Sequence, residues 1–176
     1  MKIIIADSSS LILLTKCNLL EALVKLFLVR IPEAVFNEVV NGYTLGRFPD
    51  AKSISRLVAE NKVDVVKAVV SEQNTPVSLG KGETEALFLA KQTGDAILAT
   101  DDGKAIKACR YMGVPFIISP RIATELYRLD AIDFSKARSS IEKMKIIGRY
   151  SSDIISESIL ELEVTRNAKT HYRQGP

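Results

Sequence analysis

Continuous apolar runs recur along the first two thirds of the chain, and stretches with helical periodicity separate them. Runs that are rich in β-branched residues and uninterrupted by polar positions are typical of strands buried on both faces of a parallel sheet. We therefore predict strands at residues 2–6, 28–31, 63–70, 96–100 and 114–118.

The stretches between these runs carry the signals of helices. Pro32 suits the first position of a helix, and Gly94 and Gly113 stand where helices end. Helices are predicted at residues 11–14, 18–27, 32–40, 50–60, 82–94 and 103–113, with an exposed loop at 41–49 and a polar connection at 71–81. The alternation predicts an α/β fold, in which a parallel sheet of about four to five strands lies between two layers of helices.

Beyond Ser119 the pattern is only helical. Helices are predicted to start at Ser119 and to cover residues 135–147 and 152–164, and the polar tail that follows contains His171 as a solvated residue. We therefore divide the chain into an α/β domain at residues 1–130 and a C-terminal helical extension with its tail at 131–176. The extension is apolar enough to pack on the domain or on a second subunit.

Composition limits the class of protein. A chain of 176 residues with 47% hydrophobic positions can form one domain with a real core. No apolar run reaches the roughly 18 residues of a membrane span, and the chain begins directly with a strand pattern, so a cytoplasmic protein with no membrane partner is expected. Cys17 and Cys109 lie far apart in helical patterns and are predicted to be small core residues.

Acidic residues follow the predicted strands. Asp7 ends the first strand, and Asp101 and Asp102 end the fourth, so all three are expected at the edge of the sheet where ligands bind in such folds. Glu38 lies in an otherwise apolar helix, where an unpaired carboxylate is costly. Glu83 opens the next long helix, directly after a glycine.

Each acid also has an ordinary structural explanation. Asp7, Asp101 or Asp102 could cap a helix, Glu38 could be solvated, and Glu83 could interact with a helix dipole. The combination is harder to explain in this way, because three separate segments place acids near strand ends without a nearby histidine or cysteine. Clustered carboxylates need a compensating cation, and such oxygen ligands suit Mg²⁺ or Mn²⁺.

Four stretches of the chain resemble the motifs of PIN-domain proteins, in particular the branch related to the toxin nucleases of bacterial and archaeal toxin-antitoxin pairs. They are "IADSSSLI", "IPEAVFNEVV", "LGKGETEALFLA" and "ILATDDGKAIKACRYMGVP", in that order over about residues 1–120. The resemblance implies a PIN-like three-layer α/β/α fold and makes residues 1–130 the nuclease domain.

The resemblance also implies an activity and a set of residues for it. The activity is Mg²⁺- or Mn²⁺-dependent hydrolysis of RNA, with an antitoxin protein and a second copy of the chain as possible partners. The implied catalytic and metal-binding acids are Asp7, Glu38, Glu83 and Asp102, with Asp101 as an additional metal ligand and Ser9 and Thr100 as supporting hydroxyls. Glu85 is extra, and helical spacing predicts that it lies on the surface, away from Glu83.

The charge balance permits an anionic substrate. The chain carries a net charge of +3, and setting aside the five acids leaves 24 basic and 16 acidic residues. Lys104, Lys107 and Arg110 recur at three-residue spacing on the helix that follows Asp102, and Arg47 lies in the predicted loop. We interpret them as candidate nucleic-acid contacts. A solvated helix face is the alternative interpretation of the three helical residues.

Other enzyme classes fit less well. A haloacid-dehalogenase-like phosphatase would have Asp where Ser9 stands, and a nucleotide-binding Rossmann module would need a glycine-rich turn after the first strand. One rival of a different class stays open, namely a catalytically inactive PIN fold that binds nucleic acid or a protein. Whether the protein is a toxin or a processing enzyme is also open at this point.

Overall fold

The computed structural model describes residues 2–70, 78–148 and 150–173, with side chains described up to residue 170. Five parallel strands form one sheet in the order β3-β2-β1-β4-β5. The strands are β1 (Ile3–Ala6), β2 (Leu28–Pro32), β3 (Val63–Val66), β4 (Ala96–Ala99) and β5 (Phe116–Ile117). The predicted α/β fold with a parallel sheet is confirmed.

Helices cover both faces of this sheet. The bounds are α1 (Ser8–Lys16), α2 (Leu20–Leu26), α3 (Glu33–Val39), α4 (Gly42–Arg47), α5 (Pro49–Ala59), α6 (Lys81–Thr93), α7 (Gly103–Met112), α8 (Ser119–Arg128), α9 (Phe134–Ile147) and α10 (Ser152–Arg173). Along β1, Ile4 packs into one core cluster and Ile5 into the other. This two-sided burial explains why the strands appear in the sequence as continuous apolar runs.

The strand order reverses between β1 and β4. These two strands pair along their whole length, with Ala6 opposite Ala99, so the residues that follow them emerge side by side. In open parallel sheets such a reversal creates a crevice outside the carboxyl ends of the strands, where ligands bind. Asp7 and Thr100 stand at this point.

The C-terminal helices pack on the domain. Ala137 and Ile141 of α9 and Ile155 and Leu162 of α10 belong to the same core cluster as Ile4. Cys17 also lies in this cluster, and Cys109 lies in the other, as predicted. The C-terminal region therefore shares its core with the sheet.

The predicted loop at 41–49 is wrong, because α4 forms there. Asn41 is its N-cap, and its side chain accepts hydrogen bonds from the backbone N–H groups of Tyr43 at 3.1 Å and Thr44 at 3.0 Å. Thr44 Oγ1 in turn accepts from the Asn41 N–H at 2.8 Å, which completes a capping box. In the sequence, Gly42 and Gly46 favoured a loop, so the capping box of Asn41 and Thr44 was missed.

Other boundaries also differ from the prediction. Helix α1 begins at Ser8, because Asp7 caps it. Strand β3 ends at Val66, and α10 continues through Arg173, so most of the predicted tail is helical. Lys169 holds this part of α10 by donating to Asp130 Oδ1 at 2.7 Å and to the Tyr127 carbonyl at 2.8 Å. The side chain of His171 and most of the predicted connection at 71–81 lie outside the described residues.

Among the residues that the structure describes, no helix has the length and apolar character needed to cross a membrane.

Candidate active site

Asp7 is the central acid of the site. It follows β1, caps α1 and is fully buried, with 0% of its surface exposed. Its Oδ1 accepts hydrogen bonds from the Ser10 N–H at 2.9 Å and from Ser9 Oγ at 2.7 Å, and its Oδ2 accepts from Thr100 Oγ1. Burial raises the pKa of Asp7 to about 6, although these hydrogen bonds act in the opposite direction.

The three serines after Asp7 link the start of α1 to α3 and to the end of β4. Ser8 Oγ donates to Glu38 Oε2 at 2.6 Å, which joins α1 to α3. Ser9 Oγ donates to Asp7 and accepts from the Asp101 N–H at 3.0 Å, and Ser10 Oγ donates to the Ala99 carbonyl at 2.7 Å. The structure therefore brings Ser9 and Thr100 to Asp7. It also adds Ser8, whose only signal in the sequence was its place beside the first acid.

Asp102 caps the helix that follows β4. Its Oδ1 accepts from the N–H groups of Lys104 and Ala105, both at 2.8 Å, and its own N–H donates to Thr100 Oγ1 at 3.2 Å. Thr100 thus contacts both Asp7 and Asp102. Within the described residues, Oδ2 of Asp102 makes no hydrogen bond, so one of its oxygens stays open to a ligand.

Asp101 ties the end of β4 to the C-terminal helices. Its Oδ1 accepts from the Ser119 N–H at 2.8 Å and from the Tyr150 hydroxyl, and its Oδ2 accepts from Ser119 Oγ at 2.5 Å. Burial raises the pKa of this carboxyl, and burial and the neighbouring Asp101 raise the pKa of Tyr150. Ser119 and Tyr150 were both missed as site residues, since nothing local in the sequence links them to Asp101.

Glu38 and Glu83 come from helices α3 and α6, which pack against each other. Glu38 is exposed, and its neighbours Val35 and Val39 face the core instead, so the expectation of a carboxylate among core residues is wrong. A Cβ on Gly82 would lie 2.9 Å from Glu38 Oε2, so this glycine gives the Glu38 carboxylate room against α6. The Glu83 carboxylate folds back over Gly80, where a Cβ would overlap Oε2.

Glu85 corrects a further expectation. Only 14% of its side chain is exposed, and its Oε2 accepts a hydrogen bond from the Ala34 N–H at 3.0 Å, in the first turn of α3. The carboxylate satisfies one of the N–H groups that a helix start leaves unpaired. Glu85 therefore positions α3, and with it Glu38, from the neighbouring α6.

The five acids share an unusual electrostatic environment. In the described part of the chain, Lys and Arg form ion pairs with other acids but with none of Asp7, Glu38, Glu83, Asp101 and Asp102. At four of them, Asp7, Glu38, Asp101 and Asp102, neutral donors act instead, namely hydroxyls and the N-termini of α1, α7 and α8. This edge of the sheet thus carries negative charge that no cationic side chain among the described residues pairs with.

The acids are chemically suited to a divalent cation but are not gathered around one point. No group of three or more Asp, Glu, His or Cys side chains within the described residues is arranged to hold a metal ion. Hydrogen bonds engage both oxygens of Asp7 and of Asp101. The all-oxygen donor set fits Mg²⁺ or Mn²⁺, and side-chain rotation at Glu38 and Glu83 would be needed to complete a site.

The candidate nucleic-acid contacts lie on the surface. Lys104, Lys107 and Arg110 are exposed along α7, on the side opposite the buried Ala105 and Ala108. Arg47 is exposed on α4, where its guanidinium lies over the ring of Tyr43 at 4.2 Å. The first three form a solvent-facing basic edge on the helix that begins at Asp102.

Comparison with known proteins assigns the family. The family model described as "DUF3368: PIN domain" matches residues 3–164, which extends from β1 into α10. A search of curated proteins finds no significant match. The fold, with its five parallel strands and two helical layers, agrees with the matched family. The chain therefore belongs to the PIN-domain family, whose members are generally nucleases.

Proposed function

We propose that this protein is a metal-dependent endoribonuclease. One observation carries the proposal: the acids that follow β1 and β4 stand where the strand order reverses, Ser8 links Glu38 to the same place, and no described side-chain cation pairs with these acids. A buried acid with a raised pKa and no cationic partner is a frequent feature of functional sites. An incoming divalent cation would remove the electrostatic cost of this arrangement.

In this proposal Asp7, Glu38, Glu83 and Asp102 hold Mg²⁺ or Mn²⁺. The bound ion supplies Lewis-acid activation of the phosphodiester and neutralises part of its charge. Ser9 and Thr100 hold Asp7 in a fixed orientation. Such orienting partners typically contribute about 10- to 100-fold to metal affinity or activity.

The other candidate residues have structural or substrate-binding roles in this proposal. Asp101 accepts hydrogen bonds from Ser119 and Tyr150, which anchor the end of β4 to the C-terminal helices, and it is the additional acid beside this ligand set. Lys104, Lys107 and Arg110 offer phosphate contacts along α7. The resemblance to toxin nucleases motivates RNA as the substrate, the cytoplasm as the location, and an antitoxin and a second copy of the chain as partners.

A cleavage assay tests the proposal. Total cellular RNA is incubated with the purified protein and Mn²⁺, with and without EDTA, and new 5′ ends are mapped. We expect Asp7→Asn to reduce cleavage by at least ~100-fold, because the variant loses a ligand rather than only an orienting partner. Glu161→Gln is the matched control, since Glu161 is an acid that pairs with Arg121 and lies outside the site. Equal cleavage by wild type and Asp7→Asn would overturn the mechanism.

The rival function is a PIN fold that binds without turnover. The hydrogen bonds to both oxygens of Asp7 favour this rival, because they satisfy the carboxylate in part without a metal. Metal binding by the wild-type protein without cleavage of any RNA would support it. Cleavage that EDTA abolishes and that Glu161→Gln retains would exclude it.

A further inference from the structure

Helix α4 presents aromatic side chains to solvent beside the segment that carries Glu38. None of its six residues, all of which the structure describes, is buried. Tyr43 is 61% exposed and Phe48, which follows the helix, is 43% exposed. Exposed aromatic residues grouped in this way commonly mark an interaction site. We call Tyr43, Arg47 and Phe48 the aromatic cluster.

The aromatic cluster is internally ordered. The Arg47 guanidinium lies over the Tyr43 ring at 4.2 Å, and its Nη1 donates a hydrogen bond to the Tyr43 hydroxyl at 2.7 Å. The Phe48 ring is tilted against Tyr43, with the ring centroids 6.4 Å apart. These contacts fix the Tyr43 ring while more than half of the side chain stays exposed. A ring that is already fixed loses little conformational entropy when it binds a partner.

Backbone contacts hold this cluster beside the candidate active site. Asn41 caps α4, and its Nδ2 donates to the backbone carbonyls of Glu38 at 3.1 Å and Asn37 at 3.2 Å. The same side chain therefore closes the end of α3 and starts α4. Tyr43 is two residues beyond this junction and is connected to Glu38 by a short, hydrogen-bonded segment.

We propose that the aromatic cluster is a stacking platform for an unpaired base of the substrate, with Tyr43 as the stacking residue. This inference rests on the proposed ribonuclease function. A fixed aromatic ring accepts any base on the face that Arg47 does not cover, and the Arg47 guanidinium supplies a positive charge beside the ring for a phosphate. Tyr43 is 61% exposed, so its side chain is accessible to a base. In this inference the preferred substrate is RNA with an unpaired base near the cleavage site.

Binding measurements in EDTA test the platform without cleavage. Fluorescence anisotropy is recorded with a labelled single-stranded RNA and with the same RNA in a duplex, over a series of salt concentrations. We expect Tyr43→Ala to weaken single-strand binding by ~10-fold and to leave duplex binding unchanged, because only unpaired bases can stack. The salt dependence of single-strand binding should not change, since the substitution removes no charge.

Two further variants control for folding and for general effects of an exposed ring. Tyr43→Trp keeps an aromatic face and should bind like wild type, whereas Tyr43→Leu keeps the apolar bulk and should bind like Tyr43→Ala. Tyr111→Ala removes a tyrosine that is 76% exposed in the last turn of α7 and should retain wild-type affinity. Equal losses in Tyr43→Ala and Tyr111→Ala would overturn the assignment to α4.

The outcomes separate this inference from the proposed function. If wild type and Tyr43→Ala bind single strands equally while wild type cleaves RNA, the platform is overturned and the ribonuclease function stands; the exposed rings then belong to a protein contact. If wild type binds neither RNA at low salt in EDTA but cleaves RNA with Mn²⁺, only the platform is overturned; if it also cleaves no RNA with Mn²⁺, both proposals are overturned.

Discussion

The two ends of the parallel sheet differ in how their charges are held. At the carboxyl edge, where Asp7 and Thr100 follow β1 and β4, acids are held by hydroxyls and backbone N–H groups. At the amino edge, a cavity of about 650 Å³ is lined by apolar residues such as Ile4, Ile97 and Phe116. The acids around this cavity pair with arginines: Glu161 with Arg121 and Glu125 with Arg128.

This contrast indicates where chemistry is expected. The amino edge has a sizeable cavity, but its charges are neutralised in pairs and remain near the surface, as on many proteins. The carboxyl edge keeps a buried acid with no cationic partner among the described residues. Such an arrangement lowers stability and is frequent at functional sites. The chemical environment of the acids, rather than cavity volume, therefore identifies the candidate site. Four predictions test this contrast.

The largest expected effect is on stability at Asp7. Because its pKa is raised from 3.8 to about 6 in the folded protein, the ionised carboxylate costs about 3 kcal/mol above pH 6. This cost is absent below pH 3.8 and grows as the pH rises to about 6. Asp7→Asn should therefore stabilise the metal-free protein by about 1–3 kcal/mol at pH 8 and by little at pH 4. Urea unfolding in EDTA at pH 4, 6 and 8 measures the difference.

A matched variant tests whether the stabilisation expected for Asp7→Asn is specific to the carboxyl edge. Glu161→Gln removes an acid of the amino edge that has an ionic partner, so it should not stabilise the protein at any pH. Stability curves for wild type and Asp7→Asn that run parallel from pH 4 to pH 8 would contradict the buried charge that distinguishes the two edges.

The second prediction concerns metal binding. If the carboxyl edge binds Mn²⁺, a concentration one hundred times the dissociation constant should stabilise wild type by about 2.7 kcal/mol at pH 8. Glu38→Gln should lose most of this gain, because it removes a charged oxygen of the proposed ligand set. Glu161→Gln should keep it. Chemical unfolding with and without Mn²⁺ measures the gain, and an equal gain in Glu38→Gln would place the metal elsewhere.

The third prediction concerns the link from the carboxyl edge to the C-terminal helices. Tyr150→Phe removes the hydroxyl that donates to Asp101 and leaves this half-buried carboxylate with one donor fewer. We expect a loss of about 1–2 kcal/mol in the free energy of unfolding at pH 8. Tyr127→Phe is the control, since within the described residues the Tyr127 hydroxyl makes no hydrogen bond and the ring packs against Phe134. Similar losses of stability in both variants would show that the hydrogen bond from Tyr150 to Asp101 does not stabilise the protein.

Much of the fold was predictable, because strands that are buried on both faces of the sheet consist of continuous apolar residues. The continuous apolar runs located all five strands, and a glycine marked the end of α7. Boundaries that depend on a single side chain were harder to predict: Asp7 extends α1, and Asn41 creates α4 in a segment whose glycines favoured a loop. Residues that cap helices also favour turns, so the sequence alone does not decide whether a helix or a loop forms at such a position.

The position of the candidate acids at strand ends was more predictable than their contacts. The strand-end acids and their resemblance to PIN motifs identified Asp7, Ser9 and Thr100, which the structure brings together. The partners of Asp101 and the inward position of Glu85 depend on contacts between distant segments. Helical periodicity gives the angle between Glu83 and Glu85 but cannot show that α3 begins beside Glu85.

The smallest expected effect is at the amino edge. Arg121 Nε lies 3.1 Å from Glu161 Oε2, and more than a third of each side chain is exposed. Exposed ion pairs of this kind contribute about 0.2–1 kcal/mol, because solvent screens them and two long side chains must be ordered. A double-mutant cycle with Arg121→Ala and Glu161→Gln, measured by urea unfolding, should give a coupling energy in that range that falls as salt is added. A coupling energy of several kcal/mol would mean that the amino edge also holds charges in a desolvated setting. The contrast with the carboxyl edge, and with it the argument that places the chemistry at Asp7, would then fail.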